Sequence, residues 1–211
     1  MPRYTYGSMR CACGFLTAIA MAILLHGEVR AIATDLSQKD IERALKLAQA
    51  PEQKRAQFHA AYLVRVNDAT VEQIEVVTEF RRCVLIAEEQ LRLGNWLFAH
   101  SVREAQEKLR PWRDRVSLVA RLRFHPQNTL ISIPPYEITL GRTDLAPFGV
   151  VRTPINSLLS GRPGDFNAPI MGATIEAVFD ARSIGQTARP VGVSLAAQVV
   201  ASVTIDFARL E

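Results

Sequence analysis

The sequence predicts an α+β protein in which N-terminal helices, including an αα-hairpin, pack on a C-terminal antiparallel β-sandwich. Apolar residues recur at helical spacing before Trp112 and at every second position in the best-patterned segments after it, which is typical of helices and of half-buried strands. Helical and strand patterns do not alternate as βαβ units require. The 211 residues therefore divide into a signal peptide (1–33), a mainly helical segment with one strand (34–112) and a β-sandwich-like domain (113–211).

The first 33 residues predict export. Arg3 and Arg10 precede an apolar run from Gly14 to Leu25, which is too short to span a bilayer comfortably. Ala31-Ile32-Ala33 then matches the small-x-small cleavage pattern of a secretory signal peptide. We expect cleavage after Ala33 and a periplasmic or extracellular protein; the alternative is an uncleaved leader, which would be the only membrane contact.

The charge and cysteine content give no support for a nucleic-acid-binding protein or for one stabilised by an internal disulfide. The net charge is +4, of which the leader contributes +2 through three arginines and one glutamate, so the rest of the chain carries only +2. Such a balance gives no argument for nucleic-acid binding. Cleavage leaves Cys83 as the single cysteine, so the mature chain has no internal disulfide. Because Cys83 lies on an apolar helical face, we expect a buried, inert thiol.

The first helix is predicted to start at Ser37. Asp40 lies three residues on, as in a capping box, and apolar residues continue at helical spacing through Ile41, Leu45 and Ala48. Pro51 either ends this helix or begins a short second one. A strand is predicted over about residues 60–66, where Tyr62, Val64 and Val66 alternate with other residues.

Two further helices are predicted to form the αα-hairpin. Thr70 and Gln73 have capping-box spacing, and an apolar face continues beyond them, so one helix is predicted from about Val71 to Leu93, before Gly94. Asn95 is predicted to cap the second helix, which ends at Arg110-Pro111. Its predicted inner face consists of Phe98, Val102, Ala105 and Leu109. The acidic and basic side chains of Glu79–Arg82 are interpreted as a solvated helix face rather than a partner contact.

The β region is predicted to be organised around a hairpin. Apolar residues occupy the even positions from Val116 to Phe124, and a return strand is predicted from Leu130 to Leu140. The pattern slips by one residue at Pro134-Pro135, which predicts a bulge, an edge or a strand break there. The turn residues His125–Asn128 separate the two strands, so we expect the strands to pair with each other.

The remaining C-terminal sequence predicts a long loop followed by three strands. Residues 141–169 are rich in Gly, Pro, Asp and Arg and form the predicted loop. The two-residue period then returns in three segments, namely Ile175–Phe179, Val191–Leu195 and Val199–Phe207. Parity predicts that Leu195 pairs with Val199 across a three-residue loop.

The sequence lacks the common catalytic motifs, which favours a non-enzymatic protein. The sequence contains no Gly-x-Ser-x-Gly, His-Glu-x-x-His, Cys-x-x-Cys, Walker or Gly-x-Gly-x-x-Gly motif. His59, His100 and His125 lack metal-site spacing, and we expect neither a cofactor nor a metal. The first hypothesis is therefore an exported binding or structural module that contacts a protein or cell-envelope partner.

The alternative is a small extracytoplasmic enzyme or ligand-binding protein with its site on the 141–169 loop near His125. Arginines held on a loop can bind a carboxylate or phosphate with two parallel hydrogen bonds. The candidate ligand-binding residues on this hypothesis are Arg142, Arg152, Arg162, Asp165 and His125.

Overall fold

The computed structural model describes residues 35–141, 145–156, 170–185 and 187–210. The α-helices of these residues are α1 (Gln38–Ala48), α2 (Glu52–Ala60), α3 (Glu79–Arg92), α4 (Val102–Leu109) and α5 (Ala181–Ile184). The strands are β1 (Leu63–Arg65), β2 (Val71–Val77), β3 (Arg115–Arg123), β4 (Tyr136–Leu140), β5 (Gly149–Asn156), β6 (Ile170–Asp180), β7 (Ala188–Leu195) and β8 (Gln198–Asp206). The predicted α+β class is confirmed, whereas the predicted signal peptide lies outside the described residues.

The strands form two antiparallel sheets around one hydrophobic core. The first sheet has the order β1-β2-β3-β6-β5 and the second the order β4-β7-β8. Their inward side chains belong to a single buried cluster, with Leu118 and Ile175 from the first sheet and Ile138 and Val193 from the second. Burial of these alternate side chains is the main force that joins the sheets.

The predicted first helix is confirmed in detail. The Ser37 side chain accepts a hydrogen bond from the Asp40 backbone N–H, and the Asp40 carboxylate accepts one from the Ser37 backbone N–H. This reciprocal capping satisfies two N–H groups that have no partner within the helix. Pro51 precedes α2, and the predicted strand near residues 60–66 is present as the short β1, which pairs with β2.

The helical pair is present, but its boundaries differ from the prediction. Residues 71–77 form strand β2, and α3 begins only at Glu79, where the Thr78 side chain accepts from the Arg81 N–H. The helix prediction failed there because β2 pairs along its length with β3, a contact that local spacing does not reveal. The second helix starts at Val102 after a 3₁₀ turn, with Ser101 as its cap. Its apolar face packs with α1 and α3 in a second hydrophobic cluster.

The predicted central hairpin is wrong in its pairing. The β3 pattern is confirmed, since its even-numbered side chains are buried. However, β2 and β6 occupy both edges of β3, and β4 pairs with β7 in the other sheet. The chain crosses between sheets through residues 124–135, where Ile131 is 85% exposed. β4 starts directly after Pro134-Pro135, as expected for residues that limit strand pairing.

The predicted 141–169 loop contains a strand. β5 is an edge strand that pairs with β6, and it includes Pro154, which an edge strand tolerates because one side has no partner. Most of its side chains are exposed. The two-residue alternation that indicates a half-buried strand is therefore missing, which explains why the sequence predicted a loop.

The last hairpin also differs from the prediction. Leu195 pairs with Gln198, so the turn has two residues, Ala196 and Ala197, both with positive φ. Between the pairs Val193–Ala201 and Ser194–Val199, strand β8 contains one extra residue, which forms a bulge. This bulge shifts the alternation of β8 by one position, which is why the sequence pattern suggested a longer loop. As a result Val199 is 61% exposed rather than buried.

Candidate functional site

Two of the five predicted site residues lie in the described structure. Arg142, Arg162 and Asp165 lie outside the described residues. His125 lines a cleft at the end of the first sheet. Arg152 lies next to this cleft, since its Nε and Nη2 atoms donate to the Tyr136 backbone oxygen at 3.1 and 2.9 Å.

The cleft, which we call the His125 cleft, has a volume of about 740 Å³. Five strands contribute to it through the start of β2, the end of β3, the start of β4, the end of β5 and the start of β6. Its lining residues are Ala69, Thr70, Glu72, Arg121, Leu122, Arg123, Phe124, His125, Pro126, Asn128, Leu130, Tyr136, Ile155, Met171 and Gly172. A volume of this size is typical of small-molecule sites.

The floor of the His125 cleft is aromatic. The Phe124 and Tyr136 rings stack with centroids 6.1 Å apart and planes inclined by 20°, an arrangement that adds to the energy of apolar burial. Tyr136 is 6% exposed. Burial, followed by the Asp68 carboxylate, raises the pKa of its phenol above the ordinary value. Tyr136 therefore stays neutral at physiological pH and presents an apolar ring.

The rim of the His125 cleft carries charge. Arg121 Nε lies 3.3 Å from Glu72 Oε2, and Arg123 Nη1 lies 3.5 Å from Glu72 Oε1. The two arginine side chains are 56% and 65% exposed, so these ion pairs are screened by solvent and contribute about 0–1 kcal/mol each. His125 Nδ1 accepts a hydrogen bond from the Gln127 backbone N–H at 3.2 Å.

Gly172 shapes this site and was not predicted from the sequence. A Cβ atom on Gly172 would lie 2.4 Å from the Leu122 backbone oxygen, closer than packed atoms approach. Glycine is therefore required where β3 and β6 meet at the cleft. Arg121 and Arg123 were visible as polar positions on β3, but nothing in the local pattern separated cleft-lining arginines from other exposed ones.

A second polar group lies beneath α3 rather than in solvent. The predicted solvated face at Glu79–Arg82 is wrong, because Glu79 and Arg81 are each only 3% exposed. Arg81 pairs with the Glu75 carboxylate and donates to the Val76 backbone oxygen at 2.6 Å. These contacts compensate the desolvation that lowers the pKa of the Arg81 guanidinium.

Arg82 attaches α3 to strands β3 and β6 of the first sheet. Its Nη2 atom donates to Ser117 Oγ at 2.6 Å and to Glu176 Oε1 at 3.0 Å. The guanidinium also lies 3.5 Å from the centroid of the Trp112 ring, which is a cation–π contact. Helix α3 therefore covers the outer sheet face around Ser117 and Glu176. The part of this face that carries Arg121 and Arg123 is exposed.

The other candidate reactive groups are held in structural contacts. His59 Nε2 lies 3.0 Å from Glu88 Oε2, and Arg55 Nη1 pairs with Oε1 of the same carboxylate at 3.1 Å. Cys83 is 1% exposed, and burial, with a smaller contribution from Glu79, raises the pKa of its thiol to about 12. The expectation of a buried thiol is confirmed, and a thiol with this pKa is a poor nucleophile.

The described residues contain no group of three or more His, Cys, Asp or Glu side chains placed to hold a metal ion. In the same residues, no helix combines the length and apolar character needed to cross a membrane. No protein-family model matches the sequence, and comparison with curated proteins and with solved structures gave no significant match.

Proposed function

We propose that this chain is an exported, non-enzymatic binding protein that holds a small, largely apolar ligand in the His125 cleft. The observation that carries the proposal is the stacked Phe124–Tyr136 floor at the end where strands of both sheets meet. Ligand sites are typically concave and apolar, with a few polar groups that orient the ligand. Export is supported by the signal-peptide pattern of residues 1–33.

Binding is favoured over catalysis by the contacts of the polar groups. His125 uses one ring nitrogen within its own turn, and Glu72 is shared by two arginines. Cys83 belongs to the helical cluster rather than to the cleft. These side chains can orient a ligand, whereas a nucleophile requires an adjacent base that activates it.

The proposal is tested by calorimetric titration of the protein with decanol, a neutral probe with an apolar body. We expect one saturable site. Ala69 is exposed at the cleft, so Ala69→Trp fills the opening without disturbing the core and should abolish binding. The matched control is Ala56→Trp, on an exposed position of α2, which should bind normally. No binding to the wild type, or equal binding by both variants, would refute the proposal.

A second candidate function is contact with a protein or cell-envelope partner through the Trp96 surface, formed by Leu93, Trp96 and Leu97. These side chains are 64%, 68% and 80% exposed, and neighbouring exposed apolar groups often mark interaction sites. We expect a Trp96→Ser/Leu97→Ser variant to lose partners that the wild type retains from native envelope extract. Ile131→Ser, another exposed apolar position, is the control; identical captured proteins would argue against this surface.

A further inference from the structure

Two arginines at the rim of the His125 cleft share one carboxylate, that of Glu72. Each of its two oxygens faces a different guanidinium, Arg121 at 3.3 Å and Arg123 at 3.5 Å. The two arginines are two residues apart on β3, so they lie on the same face about 7 Å apart. A carboxylate that reaches this position can therefore interact with both arginines at once.

The arginine pair retains capacity for a second anion. A guanidinium has five N–H donors, and the separations from Glu72 exceed the distances of about 2.7–2.9 Å that are typical of strong charge-assisted hydrogen bonds. Two positive groups also face one carboxylate here, which leaves a local charge of +1. A ligand with a single negative charge would balance it.

The neighbouring charged groups do not cancel this preference. Asp68 lies near Tyr136, but its carboxylate accepts from the backbone N–H groups of Val71 and Thr70 at 2.8 and 2.7 Å, which stabilise its charge locally. Arg152 adds a further positive group beside the cleft and is held by the Tyr136 backbone oxygen. The balance of charge at the cleft therefore favours an anion.

We infer that the His125 cleft selects a monoanionic amphiphile, with its carboxylate at Arg121 and Arg123 on the outer face of β3 and an apolar body that passes the end of this strand to reach Phe124 and Tyr136. This inference rests on the proposed ligand-binding function and adds the chemical class of the ligand. A neutral ligand of the same shape would fill the floor but leave the excess positive charge unpaired. A cationic one would meet repulsion.

The test compares decanoate, decanol and decylammonium, which share an apolar body and differ in headgroup charge. Calorimetric titration at low salt should give the order decanoate, then decanol, then decylammonium. We expect decanoate to bind about tenfold more tightly than decanol, since two exposed ion pairs together supply the equivalent of about one decade in affinity. Raising the ionic strength from 0.15 to 1 M should reduce this preference because the Debye length falls from about 8 to about 3 Å.

Variants locate the headgroup. Arg121→Ala/Arg123→Ala should abolish the preference for decanoate over decanol, because Glu72 then faces the headgroup without a cation. Glu72→Gln removes the competing carboxylate and should tighten decanoate binding. Arg103→Ala, at an 89%-exposed arginine of α4, is the control for loss of a positive charge elsewhere and should change neither affinity. Circular dichroism verifies that each variant is folded.

The outcomes separate this inference from the proposed function. Equal affinity for decanoate and decanol, both abolished by Ala69→Trp, would refute the charge preference and leave the binding function intact. Failure of all three probes to bind, or binding that Ala69→Trp does not affect, would refute both. A decanoate preference that survives the double arginine substitution would refute the assignment of the headgroup position.

Discussion

Glu79 places a carboxyl group where its charge is unfavourable. The residue is 3% exposed, and its Oε2 atom has no hydrogen-bond partner among the described residues. Asp35 and Asp114 add negative charge nearby, whereas Arg113 and the Asp114 backbone N–H favour the ionised form. Burial is the largest cause, and together these effects raise the pKa of Glu79 from 4.5 to about 7.

The raised pKa makes folding stability depend on pH with a defined sign. Below pH 4.5 Glu79 is protonated in both the folded and the unfolded chain, so it does not reduce the free energy of unfolding there. As the pH rises from 4.5 towards 7 the unfolded chain ionises first, so the free energy of unfolding decreases. The shift corresponds to a loss of about 3 kcal/mol, complete above pH 7.

Glu79→Gln isolates this effect because the amide has nearly the same size and carries no charge. We expect Gln to stabilise the protein by about 2–3 kcal/mol at pH 8, after allowance for about 0.3–1 kcal/mol of lost interaction with the α3 dipole. Near pH 4 the two proteins should be equally stable. Urea unfolding from pH 4 to pH 8 measures the difference. Glu104→Gln, in the first turn of α4 and exposed, should show no comparable gain.

Two results would refute this reasoning. One is a stability difference between Glu79→Gln and the wild type that is the same at pH 4 and pH 8, which would mean that ionisation is not its cause. The other is a less stable Gln variant at pH 8, which would mean that the ionised carboxylate is satisfied in the folded protein.

Three further substitutions test particular contacts, each by denaturant unfolding. Gly172→Ala should destabilise by about 2 kcal/mol because its Cβ meets the Leu122 oxygen, whereas Gly149→Ala, with nothing within 4 Å, should have little effect. Ala197→Gly should stabilise by about 0.5–1 kcal/mol, because φ is +65° there and glycine adopts this conformation without strain. Arg81→Met should destabilise by about 3 kcal/mol because it leaves Glu75 without its partner, whereas the exposed Arg103→Met should change stability by less than about 0.5 kcal/mol.

The sequence correctly predicted those elements whose residue pattern is set by contacts of the segment itself. The alternation from Val116 to Phe124 predicted β3 correctly because a single buried face imposes a period of two residues. The Ser37–Asp40 capping box predicted the start of α1 for a similar reason, since its hydrogen bonds lie within one turn. In both cases the decisive contacts are made by the segment itself or by one face of it.

Elements that depend on distant pairing were not predictable in this way. Residues 71–77 share helical spacing with the apolar face of α3, yet they pair with β3 about forty residues later in the chain. β5 has little buried surface, so its pairing with β6 leaves no alternation in the sequence. The His125 cleft is formed by the ends of five strands that are separate in the sequence. Local patterns therefore could not identify the other lining residues together with His125.

The outer face of the first sheet separates the residues needed for stability from those proposed for binding. Ser117 and Arg121 both lie on this face of β3. Ser117 is 1% exposed beneath Arg82 of α3, whereas the Arg121 side chain is 56% exposed beyond the covered end. Substitutions of the cleft arginines should therefore change ligand affinity with little effect on unfolding, and substitutions beneath α3 should do the opposite. The same strand serves both purposes because one helix covers only part of it.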